Sequence, residues 1–156
     1  MRFTLINNIK QDSAMRLILS ALLIFISMYL ISDIFVKYSS FGITGSAVKL
    51  TLFGSEAEYI DPISKASFLE FWHTEIFFIM MLLLTLSAVF VRLVKKSILV
   101  LNIVMISAII SIIALALSYF MSPLFISIYI ATFFLWHASA LYMTLYSLWR
   151  LYDKSV

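Results

Sequence analysis

Four long apolar runs constrain this chain more than any other feature. A helix that crosses a bilayer needs about 20 mostly apolar residues, and runs of that kind occur at about 16–36, 62–91, 97–120 and 123–148. Apolar side chains make up 63% of the 156 residues, well above the share of about one half that is usual in soluble domains. The sequence therefore predicts an all-α integral membrane protein, with residues 1–156 forming a single four-transmembrane-helix bundle.

The distribution of Lys and Arg predicts the orientation of this bundle. Basic residues precede the first span, occupy the link between the second and third spans, and follow the fourth: Arg2, Lys10, Arg16, Arg92, Lys95, Lys96, Arg150 and Lys154. Because cytoplasmic segments carry the excess of basic residues, we expect both termini in the cytoplasm and residues 37–61 in an outer loop. A bacterial inner membrane is the expected location.

The predicted outer loop and the cysteine count add two constraints. The loop carries an apolar run, Ala47–Phe53, between two glycines, and its composition favours β structure. Cysteine is absent, which excludes disulfides, thiolate metal sites and thiol redox chemistry.

Both histidines of the chain fall inside predicted spans. His73 lies in the stretch EFWHTEIFF of the second span, and His137 lies in FFLWHASA of the fourth. Both spans run inward from the outer side, and the helical rise puts His73 about 16 Å from Pro62 and His137 about 21 Å from Pro123. Ionisable side chains inside a membrane usually face the bundle interior or a functional site. The two histidines are therefore the leading candidates for chemistry.

The first interpretation of this pair is a haem site. Two neutral imidazoles on different helices are suitable axial ligands for a haem held in an apolar bundle. Helical spacing puts Glu70 on the face of His73, and it puts Ala140 and Thr144 on the face of His137, where their small size leaves room for a ligand. These residues would form the pocket.

The four-span pattern and the pair of His73 and His137 resemble the small four-helix membrane cytochromes b, such as the cytochrome b561 group and the membrane subunits of some dehydrogenases. The resemblance implies one haem b with these histidines as the axial ligands of its iron. It also implies electron transfer, with quinone as a possible reactant, within a larger respiratory complex. Those families commonly carry four histidines for two haems, so this chain has ligands for one haem at most.

Two other interpretations fit the same residues. Glu70, His73 and His137 provide one carboxylate and two imidazoles, a set that suits a mononuclear metal ion or a proton relay. Alternatively, both histidines are structural. His73 would be bonded to Glu70 or to a backbone carbonyl, and His137 to a serine of the third span such as Ser107 or Ser111. The chain would then be a non-catalytic accessory or assembly subunit of a membrane complex.

The remaining expectations concern partners and acidic residues. We expect contacts with lipid and with other membrane subunits or further copies of this chain, and none with nucleic acid. Glu75 lies about 200° around the helix from His73, and we expect it at an interface away from the site. Asp33, near the end of the first span, is assigned to the scaffold.

Overall fold

The computed structural model describes residues 12–94 and 98–153, and these residues form four long helices and one short helix. The long helices are α1 (Ser13–Ser40), α3 (Lys65–Leu93), α4 (Ile98–Phe120) and α5 (Phe125–Tyr152). The short helix α2 (Gly45–Phe53) follows α1 and precedes a 3-10 turn at Glu56–Glu58. Each long helix is long and apolar enough to span a membrane. The predicted all-helical, four-span architecture is confirmed.

Polar caps set the starts of the first two spans. The Asp12 carboxylate accepts hydrogen bonds from the backbone N–H groups of Ala14 and Met15, which satisfies two free donors at the start of α1. The Ser64 hydroxyl accepts from the N–H of Ser67, so α3 begins after Ser64 rather than at the predicted position 62. The apolar runs therefore locate the spans, and the caps fix their first residues.

The predicted outer loop, 37–61, is largely helical. The first span continues to Ser40, so that Lys37 belongs to α1 and is buried. The run Ala47–Phe53 is a helix, contrary to its predicted β preference. The Thr44 hydroxyl caps this helix. Its buried residues Val48 and Leu52 are four apart, so they lie on one face of a helix, whereas a strand would place position 50 on that face as well.

Helix α5 is the centre of the bundle, because it packs against each of α1, α2, α3 and α4. Its neighbour α4 presents a buried stripe of small residues: Ser107, Ser111, Ala114 and Ser118. Small side chains at such spacing let two helices approach closely. At one end of the bundle, Ser20 of α1 hydrogen-bonds Tyr152 of α5 at 2.9 Å, and α1 therefore runs antiparallel to α5 along its length. The opposite end carries α2.

Candidate functional site

Four ionisable side chains from three helices meet inside the bundle, and we call Asp33, Lys37, Glu75 and His137 the polar cluster. The Lys37 ammonium lies 2.9 Å from both carboxylate oxygens of Asp33 and 2.8 Å from Oε1 of Glu75. Nε2 of His137 lies 2.9 Å from Oδ2 of Asp33. Helices α1, α3 and α5 are thus joined through charged groups within the spans.

Helical spacing explains why α1 turns Asp33 and Lys37 inward. The buried apolar residues of α1 include Leu23, Ile26 and Leu30, which are three and four residues apart. Asp33 and Lys37 continue the same three-and-four spacing, so they lie on the same helical face. The packing stripe of α1 therefore ends in two charged residues, which is the sequence signal for this site.

The polar cluster is almost completely removed from solvent and lipid. Only 3% of the surface of Lys37 and of His137 is exposed, and the carboxylate side chains of Asp33 and Glu75 are 10% and 14% exposed. An ammonium group has three N–H donors and no acceptor, and the three short contacts of Lys37 use all of them. The cation is fully paired, as a buried charge must be.

The two ring nitrogens of His137 both face oxygen atoms that accept hydrogen bonds. Nδ1 lies 3.0 Å from the backbone carbonyl of Phe133, and Nε2 lies 2.9 Å from Asp33. A carbonyl oxygen only accepts, so Nδ1 carries a proton. The second contact then also needs a proton, held either by Nε2 or by the Asp33 carboxyl group. With that proton the charges of the cluster sum to zero.

Aromatic rings enclose the cluster on the side toward α2. The Lys37 ammonium lies 5.4 Å from the ring centre of Phe133 and 6.0 Å from that of Phe71, distances at which ring faces attract a cation. Phe41, one turn beyond Lys37, is buried and stacks on Phe71 with ring centres 4.6 Å apart. Its edge also meets Tyr129 of α5. Phe41 therefore closes the cluster toward this end of the bundle.

The predicted site residues are only partly brought together. His137, Ala140 and Thr144 are buried on one face of α5, where the Thr144 hydroxyl donates to the Ala140 carbonyl. Glu70 and His73 lie on the exposed face of α3, whereas Glu75 points into the bundle. Residues two apart on a helix face nearly opposite directions, so the inward position of Glu75 turns His73 away from His137.

This arrangement corrects two expectations and identifies residues that were missed. Glu75, expected at an outside interface, contacts Lys37 in the interior. Asp33, assigned to the scaffold, contacts both Lys37 and His137. Within residues 12–94 and 98–153, no group of three or more His, Cys, Asp or Glu side chains is placed to hold a metal ion. Two surface grooves, of about 580 and 300 Å³, have linings that include neither histidine.

Residues 42–155 match the Aq_1264_TM family, a transmembrane helical domain. The chain belongs to this family. No curated protein and no solved structure matches the chain.

The range matched to the Aq_1264_TM family divides the polar cluster. It contains α2, α3, α4 and α5 and therefore includes Glu75 and His137, whereas α1 precedes it. Asp33 and Lys37 are supplied from outside the matched range. The family establishes an integral membrane protein.

Proposed function

We propose that this transmembrane domain is a proton-binding subunit of a membrane complex, and that its polar cluster holds one exchangeable proton. The observation that carries the proposal is the position of His137 between two acceptor oxygens, the carbonyl of Phe133 and the carboxylate of Asp33. A proton must lie between Nε2 and Asp33 for that contact to be favourable. Transfer between these two atoms needs no movement of the backbone.

Release of this proton would leave the polar cluster with an unbalanced negative charge. Without it, two carboxylates face one ammonium, and the cluster carries a net negative charge in a medium of low polarity, which is unfavourable. Lys37 already uses its three donors on Asp33 and Glu75, so it has no further donor with which to compensate. We infer that release of the proton is coupled to a shift of α1, which carries Asp33 and Lys37, relative to α3 and α5.

Nitrogen NMR of the full chain tests this proposal, because only two histidines contribute signals. The protein is labelled with ¹⁵N-histidine and reconstituted in lipid, and His73→Gln assigns the signals. We expect His137 to show a protonated Nδ1 at neutral pH, and a signal from Nε2 that changes with pH. Asp33→Asn should alter the Nε2 signal strongly, whereas Glu58→Gln in the exposed turn should not. A His137 with an unprotonated Nδ1 would contradict the proposal.

A second candidate is the accessory subunit with a structural histidine. It is supported by the fact that α1 lies outside the range matched to the family, while Asp33 and Lys37 tie it to residues inside that range. The cluster would then be a permanent clamp. In that case the ¹⁵N signals of His137 remain constant over the whole pH range in which the protein stays folded.

Haem b binding by His73 and His137, with electron transfer and quinone as a reactant, stays a prediction. One haem within one chain requires both imidazoles at a common site, and α3 turns His73 outward. An optical spectrum tests the prediction directly: reduced-minus-oxidised bands that disappear in His73→Ala and in His137→Ala would support it. A colourless protein, expressed with ample haem, would contradict it. Metal analysis of the same sample tests the mononuclear site of Glu70, His73 and His137.

We also propose that the domain lies in a bacterial inner membrane with both termini in the cytoplasm. The supporting observation is the placement of Lys and Arg at the start of the chain, in the link between α3 and α4, and after α5. Other membrane subunits are the proposed partners, because the cluster is closed to soluble molecules on the α2 side.

A further inference from the structure

The outward face of α3 carries an acid and a base that residues 12–94 and 98–153 leave unpaired. Glu70 and His73 are exposed, and neither side chain has a hydrogen-bond partner in the part of the chain that the structure describes. The two residues are three apart and therefore lie on the same helical face. A polar pair directed away from the bundle core is unusual for a membrane helix.

His73 lies at a level inside the spans, whereas Glu70 lies closer to the start of α3, where Phe68 stacks on Tyr119 of α4. Trp72, between Glu70 and His73, donates its indole N–H to the backbone carbonyl of Ile112 at 3.0 Å. Ile112 precedes the end of α4 at Phe120 by eight residues, which corresponds to about 12 Å of helix. Ionisable side chains that face lipid at such a level are costly, and a polar partner from another subunit removes that cost.

The same face continues as a regular apolar seam. The exposed residues of this face are separated by three, four, three, four and seven positions. They are Glu70, His73, Phe77, Met80, Leu84 and Val91. Repetition every seven residues is the pattern by which two helices pack side by side in a left-handed pair. The seam extends over most of α3, so the polar pair forms one end of a continuous surface.

We propose that this seam is the interface with a second copy of the chain, packed with α3 parallel to α3 about a two-fold axis normal to the membrane. Under such symmetry identical residues of the two copies lie at the same level, so Glu70 faces the partner's Glu70 and His73 faces the partner's His73. Each Glu70 also lies three residues along the axis from the partner's His73, so the two acids and the two bases form one cluster. The axial offset of three residues, about 4.5 Å, is within reach of these two side chains.

The charges favour a second copy over a different protein. A different partner would need its own base opposite Glu70 and its own acid opposite His73. This surface carries both groups, so two parallel copies bring two acids and two bases together at one place and leave no group without a partner of opposite character. The dimer places two acid–base contacts at one end of the interface and covers the apolar seam.

A charge-exchange experiment tests the pairing. Glu70→His leaves two bases on the face, and His73→Glu leaves two acids, so each variant alone should dimerise about tenfold or more weakly than the wild type. A mixture of the two variants restores both contacts and should form a heterodimer of wild-type strength. Association is measured in lipid nanodiscs or bicelles with one fluorophore-labelled population. Unchanged dimerisation of the single variants, or failure of the mixture to recover, would overturn the proposed pairing.

Cross-linking tests the seam independently, because the chain has no cysteine. Leu84→Cys on the seam should form an intermolecular disulfide in native membranes. Phe78→Cys, equally on α3 and exposed but off the seam, is the matched control and should not. Equal cross-linking at both positions, or a wild-type protein that is monomeric throughout, excludes the interface. An unchanged His137 ¹⁵N signal in the variants shows that the bundle remains folded.

Discussion

Lys37 is the residue on which the polar cluster depends, because among the residues that the structure describes it is the one ammonium group in contact with both carboxylates. A buried charge that loses its partner is strongly unfavourable, whereas a buried ion pair replaced as a whole by neutral groups often leaves stability unchanged. The effect of a substitution in the cluster therefore depends on how many charges it leaves unpaired.

We expect Lys37→Met to lower the free energy of unfolding by about 3–5 kcal/mol, since it leaves Asp33 and Glu75 without their cation. The same replacement at the exposed Lys49 should change it by less than about 0.5 kcal/mol. Adding Asp33→Asn and Glu75→Gln to Lys37→Met should recover most of the loss. Unfolding by SDS in mixed micelles, followed by circular dichroism, measures all three. A loss at Lys49 equal to that at Lys37 would contradict the argument.

For single residues, the sequence indicates that His137 is a candidate site residue, but it does not indicate that Asp33 and Lys37 lie beside it. A histidine in an apolar span is conspicuous, whereas Asp33 and Lys37 lie where the hydropathy of α1 falls and suggest the end of a span. Their continuation of the spacing of Leu23, Ile26 and Leu30 was the available signal. On α3 the sequence showed that His73 and Glu75 point in opposite directions, and it did not show which of them points inward. That choice depends on the packing of α3 against α1 and α5.

The turn between α2 and α3 helps to set the direction in which α3 begins. Gly54 ends α2 with a φ of +70°, a conformation that side chains with a Cβ rarely adopt. A tight antiparallel bridge follows, in which Ser55 and Ile60 exchange backbone hydrogen bonds of 2.9 and 3.0 Å. The chain then enters α3 at Lys65. The direction of α3 therefore depends in part on one glycine.

We expect Gly54→Ala to destabilise the protein by about 1–3 kcal/mol, because the new Cβ would lie 2.5 Å from the Ile60 carbonyl oxygen in a backbone conformation that alanine disfavours. Gly45 provides the matched control: a Cβ there meets no atom within 4 Å. Gly45→Ala should leave stability unchanged or raise it by less than about 1 kcal/mol. SDS unfolding of the two variants makes the comparison, and equal effects would show that Gly54 is not required.

Element prediction from sequence succeeded for long runs and failed for the short one. The four spans are long enough for their apolar content to identify them, and their ends differ from the predicted bounds by a few residues, where caps decide. Ala47–Phe53 is too short for composition to distinguish helix from strand. Its cap at Thr44 and its burial against α5 decide in favour of a helix.

The whole molecule is a bundle whose four spans were predictable from sequence, because burial of apolar length in lipid dictates helices. How these spans come together was not predictable from hydropathy. The central position of α5 depends on its contacts with each of the other helices, and these arise from side-chain shape and from the small residues of α4.

The proposed orientation has a direct test. Tyr59 is 97% exposed in the turn after α2, and we expect Tyr59→Cys to react with a membrane-impermeant maleimide from outside intact cells. Ser155→Cys should react only after the membrane is permeabilised. The natural chain has no cysteine, so the unsubstituted protein gives the background. The reverse labelling pattern would show that both termini are outside.

Phe41 leads to a prediction about proton exchange at the level of the whole bundle. Phe41→Ala should make the ring N–H protons of His137 exchange faster with water, while the protonation state of His137 at equilibrium stays the same. Saturation transfer from water to the ¹⁵N-labelled ring measures the rate. Tyr38→Ala, which alters an exposed aromatic residue near the same helix end, is the control. An unchanged exchange rate in Phe41→Ala would mean that protons reach the cluster by another route.

The stacking of Phe41 on Phe71 thus bears on kinetics rather than on affinity. The groups proposed to hold the proton, Asp33 and His137, and the ring proposed to delay its passage, Phe41, are different residues. Substitutions at this ring should therefore change the rate of proton exchange at the polar cluster without changing the residues that form it.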